Sequence, residues 1–243
     1  MSSYFGEIYL RFWKEKLDKV ADREVSDIVG IYQTYKGKKP KRVFDIGAGW
    51  GRHMIKLYSR GIETGGIEKE PIFVKAFTEE APPQLKGHLI QGDITQWKVP
   101  EELKGTFDMA ISLFSSIGWS DDSMLFKKVY LLLSKSGLFI VDTDNRDGYV
   151  IHPPSRTWQR VEGGVVLDKH KINWTTSKLI TTREIHSDTG EIFTLKREMR
   201  LYSLHELINM ASEAGFSFLG AFSDLHMRGW TPRSGRNVVI FEK

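Results

Sequence analysis

The sequence contains no cysteine among its 243 residues. This absence excludes disulfide bonds, thiolate metal sites and a cysteine nucleophile. The chain also lacks an apolar run of the roughly 18–20 residues that a membrane-spanning helix needs. Residues 1–16 lack the basic-then-apolar order of a signal peptide. We therefore expect a cytoplasmic protein with no membrane partner.

A strong charge imbalance and a metal-ligand motif are missing as well. The net charge is only +4, with Lys and Arg interleaved among Asp and Glu. No basic block calls for a nucleic-acid partner. The seven His residues are scattered, without a spacing such as H-E-x-x-H. This pattern predicts a protein that uses neither nucleic acid nor a metal ion.

The most informative stretch is residues 43–53. Val43 to Ile46 is a short apolar run that predicts a strand buried on both faces of a parallel sheet. Three glycines follow at alternate positions, Gly47, Gly49 and Gly51, and a helical pattern begins after them. A strand, a glycine turn and a helix together direct backbone N–H groups and a positive helix end at a ligand.

The acid in this stretch narrows the ligand. Asp45 lies at the strand end, and the third glycine comes one residue earlier than in the dinucleotide fingerprint G-x-G-x-x-G. A carboxylate there is a poor neighbour for a pyrophosphate and a good one for a cationic group. Glu68 follows 23 residues after Asp45. An acid at this position can bind the ribose hydroxyls of a nicotinamide dinucleotide or of another adenosine-containing cofactor. The spacing disfavours a nicotinamide oxidoreductase without excluding it.

The pattern Asp45-x-Gly47-x-Gly49-x-Gly51 resembles the first motif of class I S-adenosylmethionine-dependent methyltransferases. The resemblance implies that the glycine turn passes under the cofactor and that Glu68 binds its ribose, although many relatives carry Asp there. It also implies that Asp93 binds the adenine amino group and that Ile94 packs on the ring. The predicted cofactor-binding residues are Asp45, Gly47, Ala48, Gly49, Gly51, Arg52, Glu68, Lys69, Asp93, Ile94, Leu113 and Phe114.

The order of elements predicts an α/β fold, a doubly wound, seven-stranded, mostly parallel, Rossmann-like methyltransferase sheet with an antiparallel β insert. We assign residues 1–145 and 203–243 to the core, with an N-terminal helical lid carrying Tyr4, Tyr9 and Trp13. Residues 146–202 alternate with period two and predict a cap of three or four antiparallel strands. We also expect a second helix to begin at Asp22, and a helix N-capped by Ser120 to end at Gly137.

The molecule that accepts the methyl group is less well defined by the sequence than the cofactor is. Residues 112–116 read Ser-Leu-Phe-Ser-Ser, not the N/D-P-P-Y/F turn of methyltransferases that act on base amines. Beyond the cofactor motif, the chain is similar to small bacterial and archaeal methyltransferases with a β-rich insert, which include sugar-amine and small-metabolite enzymes. The resemblance implies methyl transfer to N or O of a small molecule, with S-adenosylhomocysteine as product. An RNA methyltransferase and a non-catalytic cofactor-binding module are the alternatives.

Seven residues near the predicted cleft and insert are candidates for binding the acceptor: Trp119, Asn145, Arg146, Trp158, Arg200, Tyr202 and Arg236. The three arginines among them suit an anionic acceptor. No catalytic residue is assigned, because a general base is needed only when the acceptor must lose a proton. His152, His170, Asp144 and Tyr202 are the residues that offer one. The edges of the insert also offer a surface for a homodimer.

Overall fold

The structure, a computed structural model, describes residues 4–153 and 155–243. Residues 1–3 of the predicted core and Pro154 of the predicted insert lie outside the described residues. The helices are α1 (Glu7–Lys36), α2 (Arg52–Tyr58), α3 (Pro71–Glu80), α4 (Asp122–Leu132), α5 (Arg146–Ile151) and α6 (Leu204–Glu213). The first five strands are β1 (Arg42–Ile46), β2 (Glu63–Glu68), β3 (Leu89–Gln91), β4 (Phe107–Ser112) and β5 (Leu133–Asp144). The others are β6 (Arg156–Val161), β7 (Gly164–Asn173), β8 (Lys178–Ser187), β9 (Ile192–Arg200), β10 (Ser217–Phe222) and β11 (Arg236–Glu242).

Seven strands form one twisted sheet in the order β10-β11-β5-β4-β1-β2-β3. Strands β1 to β5 are parallel, whereas β11 runs antiparallel between β5 and β10. The chain proceeds outward from β1 to β3 and then returns to β4 on the other side of β1. This reversal creates a crevice at the carboxyl ends of β1 and β4, where open α/β sheets bind ligands. The predicted fold class is confirmed.

Helices cover both faces of this sheet because β1 is apolar on both faces. Phe44 and Ile46 pack with α4 and α6 on one face, through residues such as Phe126 and Leu207. Val43 packs on the other face with α1, through residues such as Ile28. Burial of these side chains is the main source of stability for the sheet.

The insert is a separate antiparallel sheet with the order β6-β7-β8-β9. Its inner face carries Val166, Ile185 and Leu195, which pack against Phe12 and Trp13 of α1. The N-terminal half of α1 therefore lies between the insert and the seven-stranded sheet. This position brings both layers to the mouth of the crevice.

Two local predictions are wrong. No second helix begins at Asp22, because buried residues continue at helical spacing and α1 runs 30 residues to Lys36, with Gly37 as its C-cap. The helix predicted to end at Gly137 ends at Leu132, and Gly137 lies inside β5. Its last carbonyls accept hydrogen bonds from Gly105, Thr106 and Lys243, so that no C-cap glycine is needed.

The cap at the start of α4 also differs from the prediction. The side chain of Asp121, not that of Ser120, accepts a hydrogen bond from the Met124 N–H. Helix α5 was not predicted, and the side chain of Asn145 caps it by accepting from the Asp147 N–H. Within the described ranges, no helix is both long and apolar enough to cross a bilayer.

Candidate active site

A cleft of about 170 Å³ opens at the carboxyl ends of β1, β2 and β4, beneath the first turns of α1. Eleven of the twelve predicted cofactor residues line it: Asp45, Gly47, Ala48, Gly49, Arg52, Glu68, Lys69, Asp93, Ile94, Leu113 and Phe114. The sequence pattern thus brings together residues that are separated by up to 69 positions. Gly51 is the exception.

The three glycines of the turn have different roles, although all have positive φ angles of 58–72°. A Cβ on Gly51 would lie 2.2 Å from the Phe77 ring, and one on Gly47 would lie 2.8 Å from the Ser116 side chain. A Cβ on Gly49 would meet nothing within 4 Å, and Gly49 lines the cleft. Gly49 therefore leaves room for a ligand, whereas Gly51 leaves room for the core.

Asp45 presents a buried carboxylate to this cleft. Its Oδ2 atom is buried and has no hydrogen-bond partner among the described residues. The His53 Nδ1 atom lies 3.7 Å away, which is too far for a hydrogen bond. A buried carboxylate oxygen without a partner is costly unless a ligand supplies a donor. The site is therefore suited to a cationic or hydrogen-bonding ligand group.

Glu68 closes the next side of the cleft. Its carboxylate accepts hydrogen bonds from the backbone N–H groups of Gly49 and Glu70, each at 2.8 Å. Burial raises the pKa of Glu68, and these backbone donors only partly oppose that effect. The two bonds fix the carboxylate at the end of β2, next to the glycine turn.

Asp93 and Ile94 form the far wall. Asp93 Oδ1 accepts hydrogen bonds from the Thr95 N–H and hydroxyl, both at 2.8 Å, and this turn orients the carboxylate. Ile94 is buried and presents an apolar surface to the cleft. An oriented acid beside an apolar wall suits the edge and the face of a planar ring.

The loop after β4 is held in an uncommon conformation. Phe114 and Ser115 have φ angles of 55° and 58°, in the left-handed region that most residues avoid. Asp142 holds them there by accepting hydrogen bonds from both backbone N–H groups. The Phe114 ring remains 46% exposed in the cleft mouth, and the Arg52 guanidinium lies 4.5 Å above it. Such strain, about 1–3 kcal/mol per residue, concentrates at functional sites.

A buried ion pair fixes α1 to the glycine turn. Glu24 of α1 binds Arg52, the first residue of α2, and also contacts His53 Nε2 at 3.0 Å. Burial opposes ionisation of Glu24, but the bond to His53 and the charge of Arg52 outweigh it and lower its pKa. The Trp50 indole N–H donates to Asp18 of α1 at 2.7 Å. These contacts therefore hold α1 against the glycine turn that it covers.

The comparisons with known proteins agree with this geometry. Residues 43–137 match the family model described as a methyltransferase domain. They contain the glycine turn, Glu68, Asp93 and the loop after β4. Residues 43–137 therefore form a methyltransferase domain, and the chain has the fold of S-adenosylmethionine-dependent methyltransferases. These matches support the predicted family and its predicted cofactor, S-adenosylmethionine.

Two solved structures share the fold. A methyltransferase from Streptomyces caelestis covers 91% of this chain and 89% of its own, with a TM-score of 0.76 and 19% identity. An amino pentose methyltransferase from Micromonospora echinaspora, solved with S-adenosylmethionine bound, covers 91% of both chains, with a TM-score of 0.67 and 15% identity.

One curated relative matches part of the sequence. The glycine/sarcosine N-methyltransferase of Aphanothece halophytica is 25% identical over 155 residues, which is 60% of this chain. The match spans 57% of the relative, so this chain aligns with little more than half of the relative's length.

Of the predicted acceptor residues, the structure places only Trp119 in the cleft. Asn145 is fully buried and binds backbone carbonyls of residues 232 and 234. Trp158 is 74% exposed on β6. Tyr202 is buried and donates to Asp122 at 2.6 Å. These three residues support the fold or lie outside the cleft.

The three arginines predicted for an anionic acceptor already have acidic partners. Arg146 pairs with Asp147, Arg200 with Glu206, and Arg236 with both Asp142 and Asp144. None of the three lines the cleft. They are thereby neutralised within the protein. Two of these acids are near their arginine in the sequence, but Asp142 and Asp144 are more than 90 residues from Arg236.

The four residues that offer a general base lie in different environments. Tyr202 donates to Asp122, and burial raises its pKa, so it is not a base at neutral pH. Asp144 pairs with Arg236, and His152 is exposed at the end of α5. His170 lies half-buried on the inner face of the insert, where burial lowers its pKa and favours the neutral imidazole.

Aromatic residues around the mouth complete the site. Phe5, Tyr9, Trp50 and Phe73 line the cleft, and the Phe5 ring lies 5.1 Å from that of Trp119. Of these, only Tyr9 was singled out from the sequence. Trp50 lies between two glycines of the motif, and this position indicates that it lies close to the cleft. Phe5 and Phe73 carry no comparable pattern. Among the described residues, no cluster of His, Asp or Glu suited to a metal ion occurs.

Proposed function

We propose that this protein binds S-adenosylmethionine in the cleft and transfers its methyl group to N or O of a small-molecule acceptor. The carrying observation is the buried Asp45 oxygen, which faces the cleft without a partner beside the open space at Gly49. A ligand group with a positive charge and several hydrogen-bond donors would pair with the Asp45 oxygen and occupy the space at Gly49. S-adenosylmethionine carries an ammonium and a sulfonium.

The surrounding residues fit the rest of the cofactor. Asp45 would bind the ammonium, Glu68 the ribose hydroxyls, and Asp93 with Ile94 the adenine. When bound, the cofactor supplies an electrophilic methyl group on sulfur. The protein then has to align the acceptor and exclude water, which the aromatic residues around the mouth are placed to do.

A small acceptor is supported by the aromatic lining of the cleft mouth. Phe5, which precedes α1, and Tyr9 of α1 lie there, and the Phe5 ring is 5.1 Å from that of Trp119. Two of the relatives with named acceptors are a glycine/sarcosine N-methyltransferase and an amino pentose methyltransferase. Small amines are therefore the first acceptors to test.

The test is an assay of S-adenosylhomocysteine formation by mass spectrometry. The protein is incubated with S-adenosylmethionine and a panel of small amines and hydroxyl compounds, with bulk tRNA as a separate arm. We expect product to appear with a small acceptor, with a methyl group recovered on it. Product formed only with tRNA would contradict the small-molecule proposal. Cofactor binding without turnover in any arm would indicate a non-catalytic module.

Two further properties remain proposals. A cytoplasmic location rests on the composition, which includes no cysteine. A homodimer through the insert is supported by the exposed Trp158 and Leu167, which are cross-strand neighbours on β6 and β7. Size-exclusion chromatography of wild type and Trp158→Ser tests it: a dimer that persists unchanged in the variant would remove this surface from consideration.

A further inference from the structure

The inner face of the insert carries one arginine without an acidic partner. On β9, Phe193, Leu195, Arg197 and Met199 alternate inward, so Arg197 is the one charged residue among these four. Its cross-strand neighbours are Thr181 and, beyond that, His170. This row points toward the N-terminal segment and the cleft mouth, where Arg197 contacts the rings of Tyr4 and Trp119.

The contacts of Arg197 are aromatic and weakly polar. Its guanidinium lies 5.1 Å from the centroid of the Tyr4 ring and 6.0 Å from that of Trp119. Its Nε reaches the Thr181 hydroxyl only at 3.5 Å. In the part of the chain that the structure describes, no carboxylate lies within ion-pair distance of Arg197. Most of its five donors are therefore available.

Other arginines near the insert differ in this respect. Arg183, one row along the same inner face, makes a bidentate pair with Asp168 at 2.6 and 2.7 Å. Arg236 and Arg200 also bind acidic side chains. Arg197 is thus the arginine of this face that has no carboxylate beside it, and an anion at the cleft mouth can pair with it.

A second unpaired group lies beside it. The Tyr4 hydroxyl is buried and has no hydrogen-bond partner among the described residues. It lies close enough to Arg197 for the cation to oppose the rise in its pKa that burial causes. A hydroxyl donor and a guanidinium fork together match the two oxygens of a carboxylate or a phosphate.

The site is next to the cofactor cleft. Trp119 contacts Arg197 on the insert side, and it also lines the cleft. A small molecule held by Arg197 would therefore extend past Trp119 toward the position of the methyl group. The neutral His170 lies in the same row of the insert.

On the basis of the function proposed above, we propose that Arg197 and the Tyr4 hydroxyl bind an oxyanion of the methyl acceptor. The acceptor is thus a small molecule that carries a carboxylate or a phosphate as well as its nucleophile. The anionic acceptor that the sequence favoured is retained, but Arg197 replaces Arg146, Arg200 and Arg236 as its ligand.

The experiment follows the indole N–H resonance of Trp119 by NMR, assigned with Trp119→Phe. Protein is titrated with acetate, inorganic phosphate and the neutral acetamide at constant ionic strength, with and without S-adenosylhomocysteine. We expect acetate or phosphate to shift the resonance saturably, and acetamide to leave it unchanged. Saturation by acetate alone indicates a carboxylate, and saturation by phosphate alone indicates a phosphate.

Variants test the residues. Arg197→Gln should weaken anion binding at least tenfold, and Tyr4→Phe severalfold, while both retain S-adenosylhomocysteine binding by calorimetry. Arg160→Gln, an exposed arginine on β6 paired with Asp188, is the matched control and should bind as wild type does. No saturable shift with either anion, or equal binding by Arg197→Gln, would overturn the proposal. Failure to bind S-adenosylhomocysteine would instead contradict the proposed function, and the titration without it still tests Arg197.

Discussion

The backbone N–H of Gly49 donates to the side chain of Glu68 at 2.8 Å. This bond joins the glycine turn after β1 to the acid at the end of β2, so the two features most informative in the sequence form one unit. A ligand that reaches Gly49 also reaches Glu68. The shape of the cleft therefore depends on the turn as much as on the charged side chains.

The glycines of the turn should separate binding from folding. Gly49→Ala places a methyl group into open cleft space and should weaken S-adenosylmethionine binding at least tenfold, at a stability cost of only about 1–2 kcal/mol for the left-handed conformation. Gly51→Ala places its methyl group against Phe77 and should cost about 2–5 kcal/mol. Calorimetry and urea unfolding measure the two effects. Equal loss of stability in both variants would contradict the different roles.

The buried pair between α1 and α2 should contribute strongly to stability. Glu24→Gln leaves Arg52, which is only 8% exposed, without its carboxylate and should cost about 3–5 kcal/mol in urea unfolding. Glu15→Gln is the matched control on the same helix, because Glu15 forms an exposed pair with Lys19. It should change stability by less than about 1 kcal/mol. A control variant as unstable as Glu24→Gln would show that helix propensity, not the buried pair, is responsible.

Asp122 should make stability depend on pH. It accepts hydrogen bonds from the Gly118 N–H and the Tyr202 hydroxyl, yet burial raises its pKa to about 6. Because the folded pKa exceeds the unfolded one, the stabilising contribution is complete below about pH 4 and is lost as pH rises through about 6. Asp122→Asn removes this titration while keeping an acceptor.

The measurement is urea unfolding of wild type and Asp122→Asn from pH 4.5 to 7.5. The stability of wild type relative to the variant should fall by about 2 kcal/mol across this range. Titrations of other groups cancel in the difference. A difference that does not change with pH would show that Asp122 has an ordinary pKa.

The core of the fold could be predicted from the sequence because its signals are local. An apolar run such as Val43 to Ile46 is buried wherever a parallel sheet places it, and the glycine turn follows directly. The end of α4 could not be predicted in this way. Its last carbonyls are satisfied by Gly105, Thr106 and Lys243, which are distant in sequence.

The residues that bind the acceptor were harder to predict, because they too depend on contacts between residues that are distant in sequence. Whether an arginine is available depends on its partners, and Asp142, which pairs with Arg236, is 94 residues away. The position of Arg197 in the sequence pattern does distinguish it from the other arginines. It falls on the inward positions of β9, between Leu195 and Met199, where an arginine interrupts an apolar alternation.

The most direct test of the central claim is a calorimetric titration of wild type and Asp45→Asn with S-adenosylmethionine. Wild type should bind one equivalent, and the variant should bind at least tenfold more weakly because hydrogen bonds to a charged group contribute about 1.5–3 kcal/mol. The variant should be no less stable in urea, since the carboxylate oxygen that it replaces is buried without a partner. No binding by wild type, or equal affinity in Asp45→Asn, would contradict the account.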